Sequence, residues 1–291
     1  MRIREPVVAD RFYASLPERC RAELINLLRA AQADDAVGDS PIGGIVPHAG
    51  WTYSGPVTAK VFSSLAAKRS PEVIVLFGGV HQHRGREAAL FGSGRWETPL
   101  GPAEIDDRLA ERILGQTNLI VDDPYAHEEE HSIEVQVPFV RHLFPGARFV
   151  PIMVPPVKAA PEVGEAVART LTAYRYDAVV VGTTDLTHYG PQYGFTPKGV
   201  GSAGNRWAKE ENDRRFIDLL VKMRGSDLVR EAVRQKNACS AGAAAATIAA
   251  CAALGATRGT VLEHTSSSEV TYVREHQHSQ DSVGYAGIVF S

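Results

Sequence analysis

The sequence predicts one α/β domain over residues 1–291, with a central, largely parallel or mixed sheet flanked by helices. Two observations carry this: short β-branched runs alternate with longer helical stretches, and several of those runs end in loops bearing His or Asp. A third concerns organisation. There is no fixed-period repeat and no linker rich in Gly, Ser and Pro to divide the chain.

The candidate strands are 42–47, 72–78, 87–92, 118–122, 148–154, 178–183, 258–264 and 283–290, each a short apolar run of strand length. The candidate helices between them are 55–68, 105–115, 132–144, 160–174, 205–223, 226–235 and 240–254. The stretch 241–256 is uncharged and alanine-rich. It is shorter than the roughly 20 apolar residues that span a bilayer, so it reads as a buried, closely packed helix.

Bulk properties narrow the function classes. Of the 291 residues, 44% are hydrophobic and 22% charged, and the formal net charge is −3. This is the composition of a globular cytosolic protein. No dense Lys/Arg run exists to grip phosphates, so no nucleic-acid partner is expected. The start alternates charged and apolar residues without an apolar core segment, so neither a signal peptide nor membrane association is expected, and the expected location is the cytoplasm. Three cysteines, Cys20, Cys239 and Cys251, are too few and odd in number for a disulfide framework.

The chemistry gathers at strand ends. Run 42–47 leads into His48, run 72–78 into His81, and run 178–183 into Asp185 and His188. In open α/β sheets ligands bind where such loops converge. A histidine after a strand serves either as a hydrogen-bonded structural residue or as a ligand, and neutral imidazole suits iron, copper and zinc. His83 points away from His81 in an extended segment and is placed behind it or at the surface. Cys239 precedes the alanine-rich helix, with Asn237 and Ser240 as capping residues. The helix dipole there favours a thiolate that binds metal, and the alternative is a small buried hydrophobe, the reading given to Cys251 and Cys20.

Asp185 and His188 are spaced to share one face of a turn. A carboxylate beside an imidazole makes a general acid or base near neutral pH; otherwise Asp185 only caps the turn. Trp51 and Tyr53 follow His48 closely enough to wall a pocket for a flat ligand. His127 to His131 reads HEEEH, the zinc protease pattern. Such a zinc hydrolase needs both imidazoles on one face of a formed helix, yet DDPYA precedes the segment and Pro138 follows it. His131 and Glu134 remain able to face the pocket. His276 and His278 lie in a polar, solvated loop.

REPVVADRFY, VPHAGWTYSG, the GGVH loop, EEEHSIEVQVPF, VGTTDLTHYG and NACSAG stand in the order found in the Memo family, which the sequence resembles over nearly its whole length. That family supplies protein B of the AmmeMemoRadiSam system and is similar to the class III extradiol dioxygenases, α/β enzymes that open catechol rings with non-haem iron. The resemblance implies metal ligation by His48, His81 and Cys239, with Fe2+ as the metal ahead of copper or zinc. It implies that Asp185 and His188 line the same pocket, His188 acting as acid or base; these two are expected as the catalytic pair, and the residue reading adds Tyr53, Trp51 and His131 as the expected substrate-binding residues. The expected ligand is a small aromatic molecule or a peptide. Cys239 stands where those dioxygenases have a carboxylate, which departs from the 2-His-1-carboxylate triad. Trp51 replaces a tyrosine of the family, and Ser240 a glycine. A non-catalytic metal-binding or partner-recognition role for the same pocket is the alternative to an oxidoreductase.

Overall fold

A computed structural model describes residues 1–31, 37–82 and 85–291, so the expectation for His83 lies outside the described residues. The strands are β1 (Ile3–Arg4), β2 (Gly43–Val46), β3 (Val73–Gly78), β4 (Ala88–Leu90), β5 (Arg95–Trp96), β6 (Ala103–Glu104), β7 (Ile120–Asp122), β8 (Arg148–Met153), β9 (Ala178–Thr183), β10 (His188–Tyr189), β11 (Gly259–Ser266) and β12 (Ser282–Phe290). The helices are α1 (Pro17–Ala30), α2 (Trp51–Ala66), α3 (Asp107–Leu114), α4 (Val137–Leu143), α5 (Ala160–Ala173), α6 (Ser202–Trp207), α7 (Arg214–Val221), α8 (Gly225–Gln235), α9 (Ala241–Ala253) and α10 (Ser267–Glu275).

One large mixed sheet runs in the order β10-β12-β2-β9-β3-β8-β4-β7, with β11 along β12. Its centre, β2-β9-β3-β8, is parallel, while β12 and β4 join antiparallel on either side. The central strands are buried on both faces, which is why they read as continuous apolar runs. Alternation still sorts their side chains. Val73, Val75 and Phe77 enter a core built with α3, α5, α7, α8 and α9, and Ile74 and Leu76 enter one built with α1, α2 and α4.

Register aligns the loops that matter. Val46 pairs with Thr183, Phe77 with Gly182, and Gly78 with Met153. The chain therefore leaves β2, β9 and β3 at one level, carrying His48, Asp185 and His81 to the same sheet edge. The start of α9 reaches that edge from one face. A Cβ on Gly164 would collide with the Ala246 backbone, so glycine lets α5 and α9 pack closely. A Cβ on Gly79 would collide with Ser240 Oγ, so glycine also lets the loop after β3 touch the entry to α9.

Several elements depart from the sequence expectation. The helix expected over 132–144 is a 3-10 turn, Glu134–Gln136, followed by α4; Pro138 sits in the first turn of α4, where its missing N–H costs nothing. The helix expected over 205–223 is interrupted by a π segment, Ala208–Asp213. Helices α1 and α10 and strands β1, β5, β6 and β10 are additional. Helix α10 buries none of its residues, so no apolar stripe announces it, and Ser266 caps it by accepting from the Glu269 N–H.

Candidate metal centre

Three imidazoles meet at the sheet edge. One ring nitrogen from each of His48, His81 and His131 lies within 4.8 Å of the others. The His48 ring stands nearly perpendicular to both neighbours, with centroids 5.2 Å from His81 and 5.4 Å from His131, while His81 and His131 stack at 4.7 Å. His48 and His81 are where strand-end reasoning placed them. His131, expected to touch substrate, stands with the other two as a donor.

Cys239, expected as the third ligand, lies beside this group against His48. Its Sγ lies 3.1 Å from His48 Nε2, and His81 is in hydrogen-bond reach of the same thiol. A reciprocal pair of contacts holds it in place: Cys239 N–H donates to the Asp185 carbonyl at 3.1 Å, and Asp185 N–H donates to Sγ at 3.3 Å. Ser240 is the residue before α9, as expected, but its side chain makes no capping bond and contacts Cys239 Sγ instead. Cys20 and Cys251 are fully buried, as small hydrophobes would be, and burial pushes both thiols up, Cys20 to about 12.

The far side of each ring is engaged, which is the arrangement a metal-binding histidine needs. His48 Nδ1 meets Thr183 Oγ1 at 2.9 Å. His81 Nδ1 lies 2.9 and 3.1 Å from the two Glu130 oxygens. A carboxylate only accepts, so Nδ1 carries the proton and Nε2 is left as the donor atom. Glu130 also lies 3.5 Å from His131 Nδ1 and takes the backbone N–H groups of His81 and Ser132. Its side chain is 3% exposed. Sequence reasoning missed Glu130, because an acidic run looks like a solvated face; the signal was its place directly before His131.

The electrostatics follow. Desolvation alone would lower the His81 pKa, but hydrogen bonds to Cys239 and Glu130 outweigh it and raise the value to about 9. Burial would raise Glu130, yet the hydrogen bond and charge of His81 hold it well below the usual carboxylate range. His131 is pushed down to about 4 by burial and by the charges on His48 and His81.

Beside the donors opens a cavity of about 390 Å³, lined among others by Phe12, Tyr53, His131, Asp185, His188, Tyr193 and Tyr285. Asp185 is 5% exposed, and its Oδ1 accepts the His48 backbone N–H at 2.8 Å. His188 Nδ1 lies 3.2 Å from the Leu186 carbonyl. A carbonyl only accepts, so Nδ1 carries the proton and Nε2 is basic. Burial lowers the His188 pKa, and the Asp185 charge opposes that shift. Tyr193 packs edge-on against His188 with ring centroids 5.0 Å apart.

Three sequence expectations are corrected by position. Trp51 does not wall the cavity. It is 2% exposed, packs on Tyr13 and Phe139, and donates its indole N–H to the Val135 carbonyl. It opens α2, and residues two apart on a helix point in nearly opposite directions, so Tyr53 faces the cavity while Trp51 faces the core. The zinc protease reading fails as well. His127 ends a 3-10 turn, Tyr125–His127, and no helix joins it to His131. Its ring lies between Phe91 and Trp96, with Nε2 at 3.0 Å from the Ala89 carbonyl. Glu134 also faces away from the cavity, paired with buried Arg4 at 2.9 Å.

A family model described as Memo-like protein matches residues 4–289. A MEMO1 family protein of Pyrobaculum aerophilum is 34% identical, over 100% of this chain and 99% of that protein. One from Methanothermobacter thermautotrophicus is 36% identical, over 98% of this chain and 99% of the relative. Among solved structures, an uncharacterized protein from Escherichia coli K12 is 12% identical with a TM-score of 0.48, covering 79% of this chain and 91% of that one. That likeness is too weak to transfer fold or function.

Proposed function

The chain belongs to the Memo-like protein family, and on that premise we propose that it binds one iron ion through His48, His81 and His131, with Cys239 beside it, and works as an oxidoreductase on a small aromatic ligand. The observation that carries the reading is the convergence of three ring nitrogens within 4.8 Å, one of them on His131, which lines a cavity together with His188 and Asp185. The donor set fits a transition metal: nitrogen donors plus one thiol, with the ring nitrogens behind them already engaged. When bound, iron supplies Lewis acidity and one-electron chemistry, which suit oxygen-dependent opening of an aromatic diol ring.

The chain's own residues supply the rest. Thr183 and Glu130 fix the rings of His48 and His81. Phe12, Tyr53 and Tyr193 give a flat ligand apolar faces, and a cavity of about 390 Å³ is the size of a small-molecule site. His188 Nε2 takes a proton from a diol hydroxyl, and the Asp185 charge stabilises the imidazolium that results. A cytoplasmic setting keeps the Cys239 thiol reduced.

The thiol favours a second reading. A soft donor where ring-opening enzymes place a carboxylate suits a protein that binds metal, or a partner, without turnover. Metal analysis of protein purified without added metal, followed by oxygen uptake with catechols, separates the two. Iron near one per chain with oxygen-dependent turnover supports the oxidoreductase. Tight metal with no oxygen uptake overturns it in favour of the binding protein, and no bound metal overturns both.

A further inference from the structure

The cavity beside the donors has a charge bias that its size and aromatic walls do not require. Asp185 and Asp281 line it, and no Lys or Arg does so among the described residues. Asp185 sits at the metal end, clasped to Cys239. Its Oδ1 is taken by the His48 N–H, and the residue is 5% exposed. Asp281 stands on the loop before β12, held by the Gln192 N–H at 2.9 Å, with its own N–H donated to Ser279 Oγ. Tyr53, Tyr193 and Tyr285 line the same cavity. After burial, the charges of Asp281 and Asp185 push the Tyr193 hydroxyl up, and Asp185 does the same to Tyr285.

The geometry points to an aromatic ligand bearing an ammonium group as the occupant of this cavity, its ring toward the donors and its cation between Asp281 and the faces of Tyr53 and Tyr193. This rests on the reading of the cavity as an aromatic-ligand site and names the class of ligand it selects. A cation is attracted both to a carboxylate and to the negative face of a phenol ring. A carboxylate-bearing analogue would instead enter a site that already holds two negative charges.

Three probes with the same ring isolate the effect: dopamine, 4-methylcatechol and 3,4-dihydroxyphenylacetate. Their binding is measured calorimetrically under argon, on iron-loaded and on metal-free protein. Dopamine is expected to bind the loaded protein about tenfold tighter than 4-methylcatechol, and the acid more weakly than either. Asp281→Asn, which keeps the acceptor for Gln192 N–H, is expected to bring the ratio of dopamine to 4-methylcatechol affinity to about one. If 4-methylcatechol binds the loaded protein as well as dopamine does, or the acid binds tightest, the cation preference is wrong while the metal and aromatic reading stands. If the amine ranking appears equally on metal-free protein, the cation preference stands and the ring does not need the metal. If no probe binds either form, both readings fall together.

Discussion

His127 and His131 are four residues apart in one acidic segment, yet one ring lies among Phe91 and Trp96 and the other among His48 and His81. Their glutamates divide in the same way. Glu130 faces the imidazole cluster, while Glu134 accepts from Arg4, Tyr13 Oη and the N–H groups of Val7 and Val8 on the opposite side. Backbone path decides this. On a helix, four residues return a side chain to the same face; across a 3-10 turn followed by irregular chain they do not. Arg4 fixes that path, donating to the carbonyls of His127 and Glu130 as well as to Glu134. One side of the segment is tied to Arg4 and the N-terminal residues, and the other faces the imidazole cluster.

The largest way to break this division is Glu134→Ala. It strands a guanidinium that is 4% exposed, so stability should fall by about 3–5 kcal/mol, read as a lowered urea midpoint. Iron stoichiometry measured well below that midpoint should persist. His131→Ala tests the other side. Metal affinity should drop by more than about 100-fold, beyond the usual cost of losing a residue behind a ligand, with a smaller shift in the urea midpoint than Glu134→Ala gives. His127→Ala should show the reverse pattern, and a large metal loss there would dissolve the comparison. Glu130→Gln comes next. It removes the carboxylate behind His81 and should cost about 10–100-fold in metal affinity with little effect on folding.

The smallest effect is one of pH in the metal-free protein. His81 is raised from 6.5 to about 9, so the folded state holds its proton more tightly than the unfolded chain does. That contribution is complete below about 6.5 and is lost as pH rises toward 9. His131 is lowered from 6.5 to about 4, so the unfolded chain binds the extra proton and stability is lost as pH falls from 6.5 toward 4. Urea midpoints should therefore peak near pH 6.5. Glu130→Gln should flatten the alkaline limb and leave the His131 share of the acid limb, and a flat profile in the unaltered protein would contradict both assignments.

The parallel centre was legible because strands buried on both faces must be continuously apolar, and His48, His81, Asp185 and His188 were legible because each follows such a run. Trp51 misled because proximity in sequence was read as proximity in space, before the start of α2 was known to turn it inward. Glu130 was hidden by the HEEEH pattern, whose familiar meaning requires a helix that this chain does not form, and His131 was expected at the pocket as a substrate contact, not beside His48 and His81. Helix α10, which brings Ser267 and Thr271 to the cavity wall, could not be seen from periodicity because none of its residues is buried.

The clasp made by Arg4 also bears on how the molecule is assembled in time. Arg4 and Glu134 are 130 positions apart, His81 and Glu130 are 49 apart, and His48 and Cys239 are 191 apart. Contacts at such separations form only after the entropy of closing long loops has been overcome, which makes them late events in folding. A chain leaving the ribosome carries its first residues free until the segment around Glu134 has emerged, and His48 stays without its thiol neighbour until α9 has begun. On the proposed metal-binding reading, capture in this geometry therefore belongs to the end of folding, and an ion supplied earlier would meet scattered imidazoles instead of a centre.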